Sequence, residues 1–212
     1  MKKMYLKYIN NDIVFDKMTM LGIICLIIVL SGIFGFIYEF IFYYLNSGMK
    51  TFYYRGGNFL PWINIYAIGS LLIFLIAYRF RKNPLKVFTL STVICGILEY
   101  IAGFLIFHLR NGARYWDYNT EILNFGNIDG FICLRSVLFF GISSLFFIYV
   151  MVPFCFYLAK KMNKKVFIVL SITLCSIFII DELYNLSARN LNLPTSSDIY
   201  KKIGFKYMEF KK

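Results

Sequence analysis

From Met18 to Leu45 the chain runs 28 residues with a single charge, Glu39. At ~1.5 Å of rise per residue, a helix of that length exceeds the ~30 Å hydrocarbon core of a bilayer. Composition agrees: 59% of residues are hydrophobic and 16% charged, against ~25% charged in a soluble domain. The run therefore belongs in a membrane.

Further apolar blocks follow at 60–77, 87–109, 131–159 and 166–186. The expected fold is all-α, a polytopic membrane domain over 18–186 with about five transmembrane helices and an ordered extracytoplasmic loop. A tail of residues 1–17 precedes it and a polar, lysine-bearing tail of 187–212 follows, with no composition shift to mark a second domain. The second block opens on Pro61 and carries Asn64, Gly69 and Ser70, so its first turn is a candidate for irregular backbone. The fifth has 15 residues before Asp181-Glu182. It either runs on to about Leu186 or is re-entrant.

The net charge of +12 does not point to nucleic acid, because the Lys and Arg residues cluster at the ends of apolar runs. Lys2, Lys3, Lys7 and Lys17 lie in the N-terminal tail. Arg79, Arg81, Lys82 and Lys86 form one basic turn, and Lys160, Lys161, Lys164 and Lys165 another. The loop at 46–59 carries only Lys50 and Arg55. Positive-inside bias places the N-terminus and both basic turns in the cytoplasm of a multi-pass plasma-membrane protein. The side of the C-terminus stays open, since most of its basic residues lie far from the last apolar block.

No soluble-enzyme motif is present: there is no P-loop, GxSxG, HExxH or GxGxxG. The five cysteines are dispersed without CxxC spacing, and His108 is the one histidine, placed as an interfacial residue. Neither a disulfide framework nor a metal site is expected, and no bound cofactor. The polar N-terminus and the length of the first apolar run also differ from a cleavable signal peptide.

One polar interruption differs from the other loops. Between Arg110 and Arg135 the chain reads RNGARYWDYNTEILNFGNIDGFICLR, with Arg114, Trp116, Asp117 and Tyr118 within five residues, followed by Asn124, Asn127 and Asp129. With the N-terminus cytoplasmic, this stretch lies outside. Glu39 then lies six residues before the outer end of its span, ~9 Å deep, and Glu99 ten residues before the end of its own, ~15 Å deep. A lone charge at mid-membrane costs roughly 2.5–3.5 kcal/mol on insertion scales, so such acids face the bundle interior and find partners. Spacing agrees: Gly32, Gly35, Glu39 and Tyr43 share one helical face, as do Ser91, Cys95, Glu99 and Gly103. Glu39, Arg55, Glu99, Arg114, Trp116, Asp117, Tyr118, Asn127 and Arg135 are the candidate site residues, while Asp181-Glu182 reads as a solvated helix end.

Several stretches carry a resemblance. They are Gly35-Phe-Ile-Tyr-Glu39, Arg55-Gly56 followed by Pro61, Ile65-Tyr66 and Gly69, and Leu98-Glu99-Tyr100. Arg114-Tyr-Trp-Asp-Tyr118 and Asn127-Ile-Asp-Gly130-Phe-Ile-Cys-Leu134 complete the set. In these, over about half its length, the chain resembles the type IV ABC-transporter permease membrane family. It departs from that pattern where Leu60, Asn64 and Ala67 replace Gly, Pro and Gly, where Phe36 replaces Trp, and where Phe107 replaces an acid. The resemblance implies a transport-associated subunit. In it Glu39 and Glu99 would line a polar cavity, and Arg55, Arg114, Asp117 and Arg135 would form its outer mouth. Trp116 and Tyr118 would supply an aromatic wall.

The expected partners are the lipid bilayer and, for ATP-driven work, a separate ATPase docking on the basic turns; a homo-oligomer is compatible with the sequence. Two other classes fit the same residues. An intramembrane enzyme acting on a lipid or lipid-linked substrate would use the acids for catalysis and the arginines to hold phosphate. A membrane scaffold or regulator would use them as structural ion pairs.

Overall fold

The computed structural model describes residues 8–10, 13–50 and 54–204. Lys2, Lys3 and Lys7 of the N-terminal tail, and Lys206, Lys211 and Lys212, lie outside the described residues.

Six helices of seven residues or more carry the described fold: α1 (Lys17–Asn46), α2 (Asn64–Ile76), α3 (Pro84–Leu109), α4 (Leu134–Lys161), α5 (Lys164–Asn190) and α6 (Ser196–Lys202). Their starts are written in local chemistry. Asp16 caps α1, accepting from the backbone N–H and hydroxyl of Thr19 at 3.2 and 2.7 Å. Asn83 caps α3 with Pro84 at its first position, where the missing N–H costs nothing. Asn163 caps α5, and Thr195 with Asp198 forms a capping box on α6. Of these helices α1, α3, α4 and α5 are long and apolar enough to cross a membrane. The protein is an all-α polytopic membrane protein.

Three boundaries differ from the sequence expectation, each for a physical reason. The second block becomes helical only at Asn64 rather than at residue 60. The backbone N–H groups of Phe59 and Leu60 are bound by a side chain of α5 instead of entering a helix. With 13 residues, α2 is ~20 Å long, shorter than the ~30 Å hydrocarbon core. The fourth begins at Leu134 rather than at residue 131, because Phe131 and Cys133 are held in the preceding loop. The fifth is one continuous helix to Asn190, passing through Asp181-Glu182 without a break.

Within α4 one π turn, Phe147–Met151, lies just before Pro153. The proline has no N–H and its ring crowds the carbonyl four residues back, that of Tyr149; a widened turn relieves both.

The chain divides into two compact units that composition does not mark. One holds Gly69–Phe154 with the described residues before Asp12; the other holds Ile13–Ile68 with the described residues from Cys155 on. Both α2 and α4 contribute to each. In the first unit α3 and α4 pack antiparallel through small residues: Gly96 meets Val137 and Ile132, and Gly141 meets Phe88 and Thr92. Further along, Tyr149 donates to the Arg81 carbonyl at 2.6 Å. The Arg81 guanidinium in turn donates to the carbonyl of Ile9 at 3.0 Å.

In the second unit α1 and α5 run parallel. Asp16 and Lys164 pair at 3.1 Å at their start, Gly22 meets Phe167, and Gly32 meets Phe178 and Trp62. Cys25, Val29, Trp62, Ala67, Cys175 and Phe178 form the core between them. All five cysteines are buried and unbridged, four of them small apolar side chains within helices and Cys133 at the cap of α4.

Candidate functional site

Each unit contains a buried carboxylate held by neutral donors. In the first, Glu99 is 4% exposed, nearly three turns inside the end of α3. Its Oε1 accepts from the Tyr118 hydroxyl at 2.5 Å and its Oε2 from the Ser136 hydroxyl at 2.7 Å. Ser136 reaches Glu99 because α4 starts level with the middle of α3, and Gly96 lets the two helices close to contact. Among the described residues no Lys, Arg or His nitrogen lies within ion-pair distance of Glu99. The nearest arginine on α4, Arg135, is paired with Glu121 at 2.7 Å and lies over the Tyr118 ring at 5.3 Å. Each hydrogen bond to a charged group contributes roughly 1.5–3 kcal/mol, and losing one inside the protein costs at least as much.

Tyr118 is delivered to Glu99 by the loop between α3 and α4, which is folded by its own side chains. Asp117 caps a short 3₁₀ turn, Tyr118–Thr120, accepting from both the backbone and side-chain N–H of Asn119. Asn127 donates to Asn119 at 2.7 Å and accepts from the Gly130 N–H at 2.9 Å. Gly130 has φ +74, and a Cβ there would run into Asn119, Arg114 and Asp117. The position requires glycine on both counts.

Arg114 donates to the Asp129 carbonyl at 2.7 Å, and its guanidinium sits 4.7 Å from the ring centroids of both Phe107 and Phe131. A cation lying against two touching rings is held by their quadrupoles as well as by hydrogen bonds. Trp116 donates its indole N–H to the Phe131 carbonyl at 2.9 Å. His108 stays at the end of α3, its Nδ1 against the Phe104 carbonyl at 2.9 Å.

The second unit centres on Asp181, which is 6% exposed. Its Oδ1 accepts from the Phe59 N–H and from Asn185, and its Oδ2 from the Leu60 N–H and the Trp62 indole, all at 2.9–3.1 Å. The loop before α2 is thus clamped to α5 by one carboxylate. Beside it Glu182 accepts from Asn58 at 2.7 Å and Asn64 at 3.0 Å. Asn185 then accepts from the backbone and hydroxyl of Ser196, and that hydroxyl lies 2.5 Å from the Gly57 carbonyl. Tyr200 on α6 donates to the Phe59 carbonyl at 2.6 Å. Burial beside Tyr200 pushes the Tyr54 phenol well above its usual range. The reading of Asp181-Glu182 as a solvated helix end is therefore corrected: the pair faces a loop whose backbone donors need acceptors.

The nine expected site residues divide between the units. Arg55 and Glu39 pair at 3.0 Å in the second, with the guanidinium 4.1 Å from the Tyr43 ring. Glu99, Arg114, Trp116, Asp117, Tyr118, Asn127 and Arg135 belong to the first. Sequence reasoning missed Ser136, Asn58 and Ser196, and it placed Asp181 at a solvated helix end. A serine in a membrane helix carries no signal of its own. Pro61, by contrast, did mark the start of the second block as irregular backbone.

Residues 15–186 match the family described as Putative ABC-transporter type IV. The chain belongs to this family. The matched region runs from the cap of α1 to the last turns of α5, so it includes both buried carboxylates and both shaped loops. No curated protein and no solved structure matches the chain significantly.

Proposed function

We propose that this family member is the membrane subunit of a transport system whose ATP hydrolysis is supplied by a separate chain. The family match across all four membrane-length helices carries this reading. It is supported by the lack of a P-loop in the sequence and by the basic residues of the α4–α5 turn, Lys160, Lys161, Lys164 and Lys165. With the N-terminus and basic turns cytoplasmic, these lysines are the docking surface for the ATPase. The Glu99 centre and the loop over 110–133 then lie in the extracytoplasmic half.

In this reading the Glu99 carboxylate is the polar contact for cargo. It is held by two hydroxyls that can be exchanged for a cationic or polar group without stranding a buried arginine. The test is isolation from native membranes in mild detergent. A chain with nucleotide-hydrolysing activity should accompany the protein, and the Lys160→Gln/Lys161→Gln/Lys164→Gln/Lys165→Gln variant should lose it while remaining folded. Isolation of the intact protein with no ATPase would remove the proposal.

A further inference from the structure

The loop between α3 and α4 has its polarity reversed. Ile122, Leu123, Phe125 and Ile128 are each more than half exposed. The polar side chains interleaved with them turn inward: Glu121 to Arg135, Asn124 to the Tyr118 carbonyl, Asn127 to Asn119 and the Gly130 N–H. A loop bathed in water is built the other way round. Four large exposed hydrophobes in seven residues mark a surface that meets an apolar phase.

Its position says which phase. The loop does not stand above the helices but descends along the last turns of α3. Asp129 accepts from Tyr100, Phe131 packs on Gly103, and Ile132 reaches Gly96. Gly96 lies thirteen residues before Leu109, ~20 Å of helical rise. At that depth the neighbouring faces of α3 and α4 show Ile97, Ile101, Leu105, Leu134, Leu138 and Ile142 outward, on helices long enough to cross a membrane. Phe125 joins this face directly, its carbonyl accepting from the Leu134 N–H at 3.0 Å.

The backbone on either side of the segment is tied into the protein: Tyr118 N–H bonds to Gly130, Ile128 to Ile132, and Phe131 to Ile128, while Trp116 takes the Phe131 carbonyl. These bonds hold the segment against the helices, so that it is the side chains that face outward.

We propose that the segment over 121–128 is a lipid-immersed loop whose Ile122, Leu123, Phe125 and Ile128 side chains enter the bilayer hydrocarbon, continuous with the lipid face of α3 and α4. Nitroxides at Phe125→Cys and Ile128→Cys, in protein reconstituted into phosphatidylcholine vesicles, test it through collision with oxygen and with a water-soluble nickel chelate. Ile142→Cys serves as the lipid reference and Lys201→Cys as the aqueous one; unsubstituted protein corrects for any labelling of the buried native cysteines. Positions 125 and 128 should match 142, with high oxygen and low nickel accessibility. Values like those at 201 would overturn the proposal. So would shielding from both reagents with dipolar broadening between labels, which would show a second copy covering the patch.

Discussion

The Tyr118 hydroxyl stands 2.5 Å from Glu99 Oε1, joining the most distinctive loop of the chain to the most deeply placed acid of α3. Tyr118→Phe removes this bond and leaves the ring under Arg135. We expect a loss of about 1.5–3 kcal/mol of stability, seen as a lowered Tm in detergent. Combined with Glu99→Gln, the two effects should be clearly less than additive. Full additivity would show that the pair does not act as a unit.

Gly130→Ala combines a disfavoured positive φ with a Cβ directed at Arg114, Asp117 and Asn119. The expected outcome is a loop opened to protease between 110 and 133 with helix content by circular dichroism unchanged. Unaltered cleavage kinetics would contradict the tight packing around this glycine.

Asp181→Ala strands the N–H groups of Phe59 and Leu60 and the Trp62 indole in a buried place. Each buried donor left without its acceptor costs about 1–3 kcal/mol. Asp181→Asn, which keeps one acceptor oxygen, should fall between. The Trp62 environment reports it: emission should shift to the red in Asp181→Ala made in a Trp116→Phe background.

Arg55 and Glu39 pair at 3.0 Å with both side chains mostly covered. Either Glu39→Gln or Arg55→Met alone should lower Tm more than the two together, because each single change leaves a covered charge behind. A double variant as unstable as the sum of the singles would rule the pair out as an interaction.

At the α1 cap, hydrogen bonds from Thr19 and then the neighbouring Lys164 lower the Asp16 pKa from 3.8 to about 2. A carboxylate depressed on folding adds stability at pH above its unfolded value, and that addition is lost as pH falls through the folded value. The Tm gap between wild type and Asp16→Ala should hold constant from neutral pH to about 4. It should then shrink towards pH 2. A gap already closing at pH 6 would assign it to another group.

Much of this arrangement was legible in the residues. Glu99 and its stripe of small neighbours stood out because a charge among membrane apolars has few places to go. The Arg-Tyr-Trp-Asp-Tyr core of the loop named Tyr118 as part of the same site. What remained hidden depends on register. Ser136 meets Glu99 because of how far α4 is staggered along α3, which no local pattern encodes. Asp181 was hidden differently: two of its four partners are backbone N–H groups of Phe59 and Leu60, which have no side-chain signature. Where the family pattern led one to expect an acid, Phe107 instead offers its ring to Arg114, a substitution intelligible only once that guanidinium is seen against the paired Phe107 and Phe131 rings.

The π turn before Pro153 sets the azimuth of α4. One extra residue in a turn rotates everything beyond it by ~100° about the helix axis. Before the turn the buried side is Ser136, Gly141 and Ser144; after it the buried side is Val152, Cys155, Phe156 and Ala159. Deleting a single residue from 147–151 would restore uniform winding and swing the second set towards the outside. Insertions and deletions there should be tolerated far less well than most substitutions at the same positions.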